Sequence, residues 1–391
     1  MEHKLLTKHV GEVDLALIDN YIIYGGYQTF CEIREKDRLA LIERVKEIKL
    51  YGRGGANFPT WMKMNDVFKQ EGLKYLICNA DEGEPGNFKD KFLLENNPHQ
   101  LIEGMIIAAH IVGASVAYVY IREEYDLAKK KLLKAINEAK IRGFLDDLKL
   151  IVFSGAGSYL CGEESALISS LEGIRGKTRQ KPPFPTTSGL FDKPTLLLNV
   201  ETLSNMPHLF KADYPVYGTR LISLSGKTDH AGVYEVLNDI VVKDFLDQYC
   251  QDVYAVILGG PSGMLIPYHL SNININMDKL EDKRFSIGSG ALIIADDNIL
   301  ELVKNNIGFF NHESCGKCTP CREGLTQILV LLDKFIMKKA SMDDLIVLKE
   351  LTNVISVSSF CGLGLYSVTT LLSALEFFED KFLGGINESN N

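Results

Sequence analysis

Hydrophobic residues form two alternating patterns along the first half of the chain. Short apolar runs predict buried strands, at 75–78, 116–121 and 148–153. Apolar positions with helical spacing predict helices, at 34–50, 98–112, 127–139 and 163–171. Strands that alternate with helices over short connections favour an α/β fold, in which a parallel sheet is covered on both faces. Ligands of such folds bind at the carboxyl ends of the strands.

The pattern changes after Asp213, where short β-rich segments separated by glycines predict a small inserted α+β unit. Its expected strands are 221–225, 240–242 and 254–258. A longer apolar run at 285–295 predicts a buried strand that returns to the first sheet. From residue 300 onward, helical spacing predicts four helices, at 300–310, 324–339, 343–357 and 365–382. Helices of these lengths favour a four-helix bundle, with Ser341 as the N-cap of the third.

We therefore predict three domains. The first is an α/β domain at 1–215, completed by the strand 285–295, the second is the insertion at 216–284, and the third is the bundle at 300–391. The polar residues from 384 to the end are expected to fray. A chain of 391 residues exceeds what one hydrophobic core usually supports, which agrees with several domains.

Composition and charge argue against some classes of binding partner. A net charge of -9 argues against binding to nucleic acid or anionic lipid, because both need a basic surface. The apolar stretch 101–121 is interrupted by Glu103, His110 and Ser115, so direct membrane insertion is not expected. The first residues lack the apolar core of a secretory signal, which predicts a cytoplasmic protein with reduced thiols.

Three cysteines in one short loop predict a metal cluster. Cys315, Cys318 and Cys321 are spaced by three residues, and Cys361 follows 40 residues later. Iron–sulfur clusters take four thiolates, and the fourth is easily supplied by a separate element, so we predict a 4Fe-4S cluster. A zinc site of four cysteines is the alternative, although structural zinc favours paired CxxC units. The other cysteines are expected to be free thiols: Cys31, Cys78, Cys161 and Cys250.

Three loops carry candidate ligand-binding residues. The glycines of 52–59 allow backbone N–H groups to approach a phosphate, with Arg53 adding charge, although a plain surface turn explains the pattern equally well. The segment 154–164 resembles a dinucleotide fingerprint but has Leu160 where the third glycine belongs. It leaves a glycine turn and a helix that begins with two carboxylates, which either bind a ligand or complement the helix dipole. The acidic loop 78–86 favours a polyhydroxylic ligand, with a metal as the alternative.

Together, the segments GRGG, CNADEGEPG, GAGSYLCGEE, KPPFP, NVET and CGKCTPC resemble one family. It is the NADH-binding flavoprotein subunit of respiratory complex I, called the F subunit in bacteria, with relatives in NAD-linked hydrogenases and formate dehydrogenases. The resemblance runs from about residue 51 to 382. It implies a Rossmann-like FMN- and NADH-binding domain, an inserted β-grasp module and a four-helix bundle that carries the 4Fe-4S cluster.

The resemblance also implies site residues. The FMN contacts carry over to Gly52, Arg53, Gly54, Lys63, Asn79, Asp81, Glu82, Gly162, Glu163, Asn199 and Thr202. The nicotinamide-nucleotide contacts carry over to Phe58, Glu84, Tyr159, Glu164, Lys181 and Phe184. Glu82 and Phe58 are predicted as catalytic residues, and the cluster ligands are Cys315, Cys318, Cys321 and Cys361. Phe184 is expected to stack on the adenine, and Glu164 to accept hydrogen bonds from the adenosine ribose. The carboxylate of Glu164 is also expected to disfavour NADPH by more than about 100-fold, through repulsion of its 2′-phosphate.

The chain departs from the family pattern at three places. Asn57 replaces a glycine usual in relatives, Met64-Asn65-Asp66 replaces a segment with an aromatic residue, and Leu198 replaces the first of two asparagines. Leucine at 198 is expected to weaken FMN binding through lost hydrogen bonds, unless Leu198 simply packs under the sheet.

The implied function is NADH dehydrogenation: hydride transfer from NADH to FMN, then single-electron transfer to the 4Fe-4S cluster and on to partner subunits toward quinone. The expected partners are a thioredoxin-like 2Fe-2S subunit and a larger iron–sulfur subunit, in the cytoplasmic peripheral arm of an inner-membrane complex of the translocase class. The alternatives are a diaphorase subunit of an NAD(P)-linked hydrogenase, formate dehydrogenase or bifurcating complex, and a flavin-free iron–sulfur scaffold.

Overall fold

The structure is a computed structural model that describes residues 2–387. The chain divides into two compact units. The first comprises Met1–Gly83, Phe88–Ile222 and Val233–Asn238, and the second comprises Glu84–Asn87, Ser223–Gly232 and Asp239–Asn391. The three predicted domain limits, 1–215, 216–284 and 300–391, therefore stay predictions. Residues 388–391, part of the end that we expected to fray, lie outside the described residues.

Within residues 2–387 the strands are, in chain order, β1 (Tyr75–Ala80), β2 (Val116–Ile121), β3 (Lys149–Ser154), β4 (Thr195–Asn199), β5 (Thr219–Gly226), β6 (Gly232–Leu237), β7 (Ala255–Leu258), β8 (Met264–Pro267) and β9 (Ala291–Ala295). The helices are α1 (Ile18–Ile23), α2 (Gln28–Ile33), α3 (Arg38–Glu47), α4 (Thr60–Phe68), α5 (Lys89–Asn96), α6 (Pro98–Val112), α7 (Asp126–Ile141), α8 (Glu164–Leu171), α9 (Val200–Leu209), α10 (Val242–Tyr249), α11 (Ile299–Glu313), α12 (Thr319–Ile336), α13 (Met342–Ser358), α14 (Gly362–Tyr366), α15 (Thr369–Phe377) and α16 (Glu379–Leu383).

The first unit is built on a four-stranded parallel sheet with the order β3-β2-β1-β4. Tyr75 of β1 lies opposite Val116 of β2 and Thr195 of β4, which fixes the register. The predicted parallel sheet of an α/β fold is therefore confirmed, and β4 is a strand that the sequence pattern did not reveal.

Helix α6 lies at the centre of the first unit. Its N-terminus is capped by the side chain of Asn97, which accepts from the backbone N–H of Gln100, and it ends at Gly113 with φ 76°. It is buried almost all round because α3, α7 and α9 pack against it. A helix that is buried on nearly every face needs such neighbours to cover its apolar residues.

The second unit contains strand pairs of both directions. Residues 223–226 of β5 run parallel to β9, and β7 is antiparallel to both β9 and β8. The prediction that the run 285–295 returns to the first sheet is wrong, because β9 covers only Ala291–Ala295 and pairs with β5 and β7. The predicted strand at 240–242 is also wrong, since helix α10 begins at Val242 and Val241 makes only an isolated bridge to Asn274.

The end of the second unit is helical, as predicted. Helix α11 packs on α12, α12 packs on α13, and α15 contacts both α11 and α13. Ser341 caps α13 in a reciprocal arrangement with Asp344, which confirms the predicted cap. The single helix predicted at 365–382 is instead divided into α14, α15 and α16. No helix between residues 2 and 387 is long and apolar enough to cross a membrane.

Candidate functional site

Three loops at the carboxyl edge of the first sheet carry most of the predicted FMN residues. Because β1 to β4 run parallel, the loops that follow β1, β3 and β4 leave the sheet at the same edge. The loop after β1 holds Asp81 and Glu82, and Asn79 is the second-last residue of β1 itself. The loop after β3 passes through a 3-10 turn at Tyr159–Gly162 into α8, and Asn199 ends β4 and begins α9.

Side-chain amides hold these loops together. The Nδ2 of Asn79 donates to the carbonyl of Gly162 at 2.8 Å, which joins the loop after β1 to the loop after β3. A Cβ atom on Gly162 would lie 3.3 Å from the carbonyl oxygen of Asp81, and one on Gly54 would lie 3.3 Å from Cβ of Asn199. The two glycines therefore permit close approach of backbone segments at the sheet edge, where the N-termini of α8 and α9 begin. Such an edge suits an anionic ligand like the phosphate of FMN.

The glycine-rich loop 52–59 is tied to the start of α9. Its ends are joined by the Gly52 N–H, which donates to the Phe58 carbonyl at 2.8 Å. The backbone N–H of Arg53 donates to Oγ1 of Thr202 at 2.9 Å. The guanidinium of Arg53 is only 2% exposed and donates to the carbonyl of Thr219 at 3.0 Å. The guanidinium thus has a partner inside the first unit, and the assignment of Arg53 as an FMN contact stays a prediction.

Asn57 occupies the position where relatives usually have glycine, and its backbone has φ 48°. Asparagine is among the few residues that tolerate this left-handed conformation. Its Oδ1 accepts from Nη1 of Arg220 at 3.3 Å, and its Nδ2 donates to the Gly55 carbonyl at 3.2 Å. The first departure from the family pattern thus keeps the backbone conformation that a glycine would allow.

Two carboxylates and two ammonium groups form a balanced cluster at the start of α8. Lys181 lies 2.9 Å from Glu163 and 2.5 Å from Glu164, and Lys63 lies 3.0 Å from Glu164. The carboxylate of Glu163 also caps α8 by accepting from the backbone N–H groups of Ser165 and Ala166. Burial would raise the pKa of Glu164, but the two lysines outweigh it and lower the pKa to about 2. This cluster, Glu163, Glu164, Lys63 and Lys181, is called the charge cluster below.

Two predicted NADH contacts are exposed aromatic residues of the first unit. Phe58 is 43% exposed and Phe184 is 55% exposed, which is unusual for phenylalanine and leaves both rings accessible for stacking. Lys63 of the charge cluster places its Nζ 5.9 Å from the centroid of the Phe58 ring. Tyr159 lies in the 3-10 turn beside Gly83, where a Cβ would come 3.2 Å from its Cα.

Glu84 belongs to the second unit, unlike the other predicted nucleotide contacts. Its Oε1 accepts from the backbone N–H of Ser262 at 2.9 Å, and its Oε2 accepts from Oγ of Ser289 at 3.5 Å. Burial raises the pKa of Glu84, although these bonds oppose the shift. The hydrogen bonds from Ser262 and Ser289 therefore hold the Glu84 carboxylate in place beside Gly260.

The carboxylate of Glu82 is directed at the start of α5. It accepts from the backbone N–H groups of Asp90 and Lys91, at 3.0 Å each. The hydroxyl of Tyr125 donates to the Glu82 carbonyl at 3.1 Å. Burial raises the pKa of Glu82 well above its ordinary value, and the nearby Asp90 adds to the shift. The structure thus gives this predicted catalytic residue a clear role in holding α5.

A buried ionic network lies behind the loops, and the sequence analysis missed it. Lys89 is 2.7 Å from Asp90 and 3.1 Å from Glu201, and all three side chains are at most 3% exposed. Burial alone would lower the pKa of Lys89, but Asp90 and Glu201 raise it. Two features of the sequence could have indicated this network: the adjacent opposite charges Lys89 and Asp90 after the acidic loop, and Glu201 in the NVET segment. These three residues, Lys89, Asp90 and Glu201, are called the buried network below.

The four predicted cluster ligands lie around the start of α12 and α14. Cys318 and Cys361 are the N-cap residues of these helices, and Cys321 lies in the first turn of α12. Burial raises the pKa of the Cys321 thiol to about 11, and Cys318, Cys361 and Cys315 add to the shift. Among residues 2–387, no three Cys, His, Asp or Glu side chains are grouped as a site for one metal ion. The ligand assignment stays a prediction.

The other two departures from the family pattern occupy ordinary positions. Leu198 is 4% exposed and belongs to the hydrophobic core, opposite Cys78 of β1. Its side chain packs under the sheet, which favours the second of the two interpretations given above. On α4, Met64 is fully buried in the same core and Asp66 is exposed.

Two family descriptions match this chain. The Nuo51 FMN-binding domain matches residues 45–208, and the NADH-ubiquinone oxidoreductase-F iron-sulfur binding region matches residues 301–384. The first range contains the three loops and the charge cluster. The second contains the four cysteines.

Similar proteins align over nearly the whole chain. An F subunit of NADH-quinone oxidoreductase in Rhizobium meliloti (strain 1021) is 39% identical, with 99% of both chains covered. The corresponding F subunit of Aquifex aeolicus (strain VF5) is 37% identical, with 97% of this chain and 93% of the relative covered. The NADP-reducing hydrogenase subunit HndC of Solidesulfovibrio fructosivorans is 35% identical, with 98% of this chain and 84% of the relative covered.

A solved structure has the same fold. The NAD+-reducing [NiFe]-hydrogenase in the H2-reduced state superimposes with a TM-score of 0.87 at 31% identity, covering 99% of this chain and 67% of that chain. With both family regions present and relatives above 30% identity over almost the full length, this chain belongs to the family of NADH-quinone oxidoreductase F subunits.

Proposed function

We propose that this chain is the electron-input subunit of an NADH dehydrogenase complex, which oxidises NADH with FMN and a 4Fe-4S cluster. The observation that carries the proposal is the convergence of the predicted FMN residues at the carboxyl edge of one parallel sheet. Asn79 and Glu82 lie at the end of β1, Gly162 follows β3, and Asn199 ends β4. Asn79 donates to the carbonyl of Gly162, while Asn199 and Glu82 both bind Asp90 at the start of α5. A flavin-free scaffold would have no need of this arrangement.

FMN, when bound, accepts a hydride from NADH and releases the electrons singly. The chain's own residues bind and orient the two ligands. The glycine-rich loop and the N-terminus of α9 supply backbone N–H groups for the flavin phosphate, whereas the carboxylate of Glu163 already caps the N–H groups of α8. Hydride transfer removes no proton from the substrate carbon, so no general base is needed among these residues.

Glu164 and Lys181 of the charge cluster form, with the two exposed phenylalanines, the proposed nucleotide-binding surface of the first unit. Lys63 and Glu163 of the same cluster remain proposed FMN contacts. Phe184 stacks on the adenine, and Glu164 accepts from the adenosine ribose. Lys63 and Lys181 keep Glu164 ionised over the whole physiological pH range, so it remains an acceptor. Glu84, in the second unit, remains a proposed nucleotide contact, as does Tyr159.

We assign the 4Fe-4S cluster to Cys315, Cys318, Cys321 and Cys361. The support is the position of Cys318 and Cys361 at the N-termini of α12 and α14, where a partial positive charge favours thiolates, and of Cys321 in the first turn of α12. We keep the two finer assignments of architecture as proposals. The helix packing of α11, α12, α13 and α15 supports a four-helix bundle, and the succession β5, β6, α10, β7 supports a β-grasp insertion.

The cluster, held by the four cysteines, would pass electrons to partner subunits. We expect a thioredoxin-like 2Fe-2S subunit and a larger iron–sulfur subunit, in the cytoplasmic peripheral arm of a quinone-reducing translocase. A hydrogenase diaphorase is the second candidate, because one relative is named a hydrogenase subunit and the solved structure is an NAD+-reducing hydrogenase. Co-purification of the partner subunits, followed by assays for quinone reduction and hydrogen uptake, separates these two candidates.

A visible absorption spectrum of the anaerobic protein, recorded before and after addition of NADH, tests the proposal. We expect flavin absorption superimposed on a broad iron–sulfur band, and bleaching of the flavin band by NADH. Chemical analysis of the same sample should give four iron atoms per chain and one FMN. A protein that contains zinc, or takes up no FMN when FMN is added, would contradict the proposal.

A further inference from the structure

The buried network contacts the side-chain amide of Asn199 as well as its own members. The Nδ2 of Asn199 donates to Oδ2 of Asp90 at 2.6 Å, and its Oδ1 accepts from the backbone N–H of Glu201 at 2.9 Å. Nζ of Lys89 approaches the same Oδ1 at 3.5 Å. The amide nitrogen of Asn199 therefore has a hydrogen-bond acceptor as its partner, and the amide oxygen has donors. Rotation of the amide by half a turn would place N–H against N–H at α9 and oxygen against a carboxylate at Asp90.

The orientation of the amide decides what Asn199 offers to a ligand. An amide nitrogen carries two hydrogens, and Asp90 accepts one of them. A Cβ atom on Gly54, another predicted FMN contact, would lie 3.9 Å from this nitrogen. The amide nitrogen of Asn199 is therefore close to the glycine-rich loop. With the amide held as observed, the second N–H is the group presented to a hydrogen-bond acceptor. Reversed, the same side chain would present an oxygen.

We propose that Asp90 is a positioning residue for the flavin site: with Lys89, it fixes the Asn199 amide so that an N–H, and not an oxygen, meets an acceptor atom of FMN. This inference rests on the proposed function, since it takes FMN as the ligand beside Asn199. Lys89 contributes by holding the other carboxylate oxygen of Asp90 at 2.7 Å, and Glu201 holds Lys89 in turn at 3.1 Å. Both carboxylate oxygens of Asp90 therefore have a buried partner, Lys89 on one and Asn199 on the other.

A double-mutant cycle on FMN affinity tests whether Asp90 acts through Asn199. The full chain is freed of flavin and titrated with FMN, and binding is followed by quenching of the flavin fluorescence. Asp90→Ala and Asn199→Ala should each weaken binding by about 3- to 10-fold, the effect of one hydrogen bond. The double variant should bind no more weakly than Asn199→Ala alone, because the two residues act on one bond. Effects that multiply in the double variant would overturn the proposal.

Exchange of the two side chains separates positioning from plain structural support. In the double variant Asp90→Asn with Asn199→Asp, the new amide can donate to the new carboxylate, whose other oxygen still caps α9. The thermal stability lost in Asp90→Ala should therefore largely return. The affinity for FMN should stay at least about threefold below that of the wild type, because an oxygen now replaces the N–H. Recovery of FMN affinity together with stability would show that Asp90 has only a structural role.

Glu103→Gln is the matched control. Glu103 is also a buried carboxylate of the first unit, and it accepts from the hydroxyl of Tyr21 at 2.6 Å and from the backbone N–H of Tyr27 at 2.8 Å. None of these residues is a predicted FMN contact. The control should lose thermal stability with no change in FMN affinity; a weaker affinity would mean that any loss of buried charge loosens the site, and the inference would fall. If the wild type itself takes up no FMN, the proposed function fails. If the wild type binds FMN but the effects of the two single variants add up in the double variant, only this inference fails.

Discussion

Replacing Lys181 by methionine is expected to increase the preference of the protein for NADH over NADPH. The Glu164 carboxylate was expected from the sequence to repel the 2′-phosphate of NADPH by more than about 100-fold. In the structure, Lys181 and Lys63 lie 2.5 Å and 3.0 Å from that carboxylate, and the charge cluster sums to zero. The repulsion is therefore largely offset, and we now expect the wild type to discriminate by less than about tenfold, or 1.4 kcal/mol.

The magnitude follows from the charge that is removed. Two unit charges 4 Å apart interact by about 1 kcal/mol in water and by about 4 kcal/mol near a protein surface. Lys181 is 29% exposed and Glu164 is 20% exposed, so screening by solvent is substantial and the lower part of that range applies. Removal of one ammonium group should cost NADPH about 1–2 kcal/mol more than NADH. The ratio of kcat/KM for NADH to that for NADPH should rise by about 5- to 30-fold.

The assay is ferricyanide reduction with each nucleotide at low ionic strength, where charge effects are least screened. Glu164→Gln is the reciprocal variant and should lower the ratio, because the two lysines are then opposed by the carboxylate of Glu163 alone. Lys46→Met is the control, since Lys46 forms a similar ion pair with Glu43 at 2.9 Å on α3, outside the charge cluster. A ratio in Lys181→Met that stays within about twofold of the wild type would refute the assignment of Glu164 and Lys181 to the nucleotide.

Three further outcomes are expected. Cys321→Ser or Cys361→Ala should lose the cluster, with fewer than four iron atoms per chain by iron and sulfide analysis, whereas Cys250→Ser should retain them; full iron in either ligand variant would exclude the assignment. Because the pKa of Glu164 is lowered from 4.5 to about 2, its contribution to stability is complete above pH 4.5 and is lost as the pH falls toward 2. Denaturant titrations between these pH values should show a shallower decline for Glu164→Gln, and an equally steep one would argue against the ion pairs. Leu198→Asn should destabilise the protein by about 3–5 kcal/mol, through lost apolar burial and a buried amide, as measured by urea denaturation; tighter FMN binding without loss of stability would contradict the packing seen here.

Local patterns in the sequence were sufficient where an element depends on its own residues. Helix α6 was predicted at its observed bounds because Pro98 and Gly113 mark its two ends and the apolar residues between them leave few alternatives. The cap of α13 at Ser341 was equally clear, since both partners of the cap lie within four residues. The cysteine spacing and the family segments likewise identified the cofactors without reference to a fold.

The failures concern contacts between residues that are distant in sequence. An apolar run such as 285–295 shows that a strand is buried, but the choice of its neighbours depends on backbone pairing, which the run itself does not encode. The side-chain environments of Arg53 and Leu198 also depend on the fold, for a related reason. Motif membership indicated that both segments are near the flavin, whereas the fold decided that one guanidinium and one leucine point into the interior.

What the sequence determined by itself is the α/β class of the first unit, the helical end of the chain, and the cofactors FMN and a 4Fe-4S cluster with NADH as the substrate. What only the tertiary structure decided is how the predicted site residues are oriented and neutralised. Lys181 is 17 residues from Glu164, and Asp90 is 109 residues from Asn199, yet each pair is within hydrogen-bond distance. The charge state of Glu164 and the direction of the Asn199 amide depend on these neighbours, because electrostatic and hydrogen-bond energies are set by distance in space and not by separation along the chain.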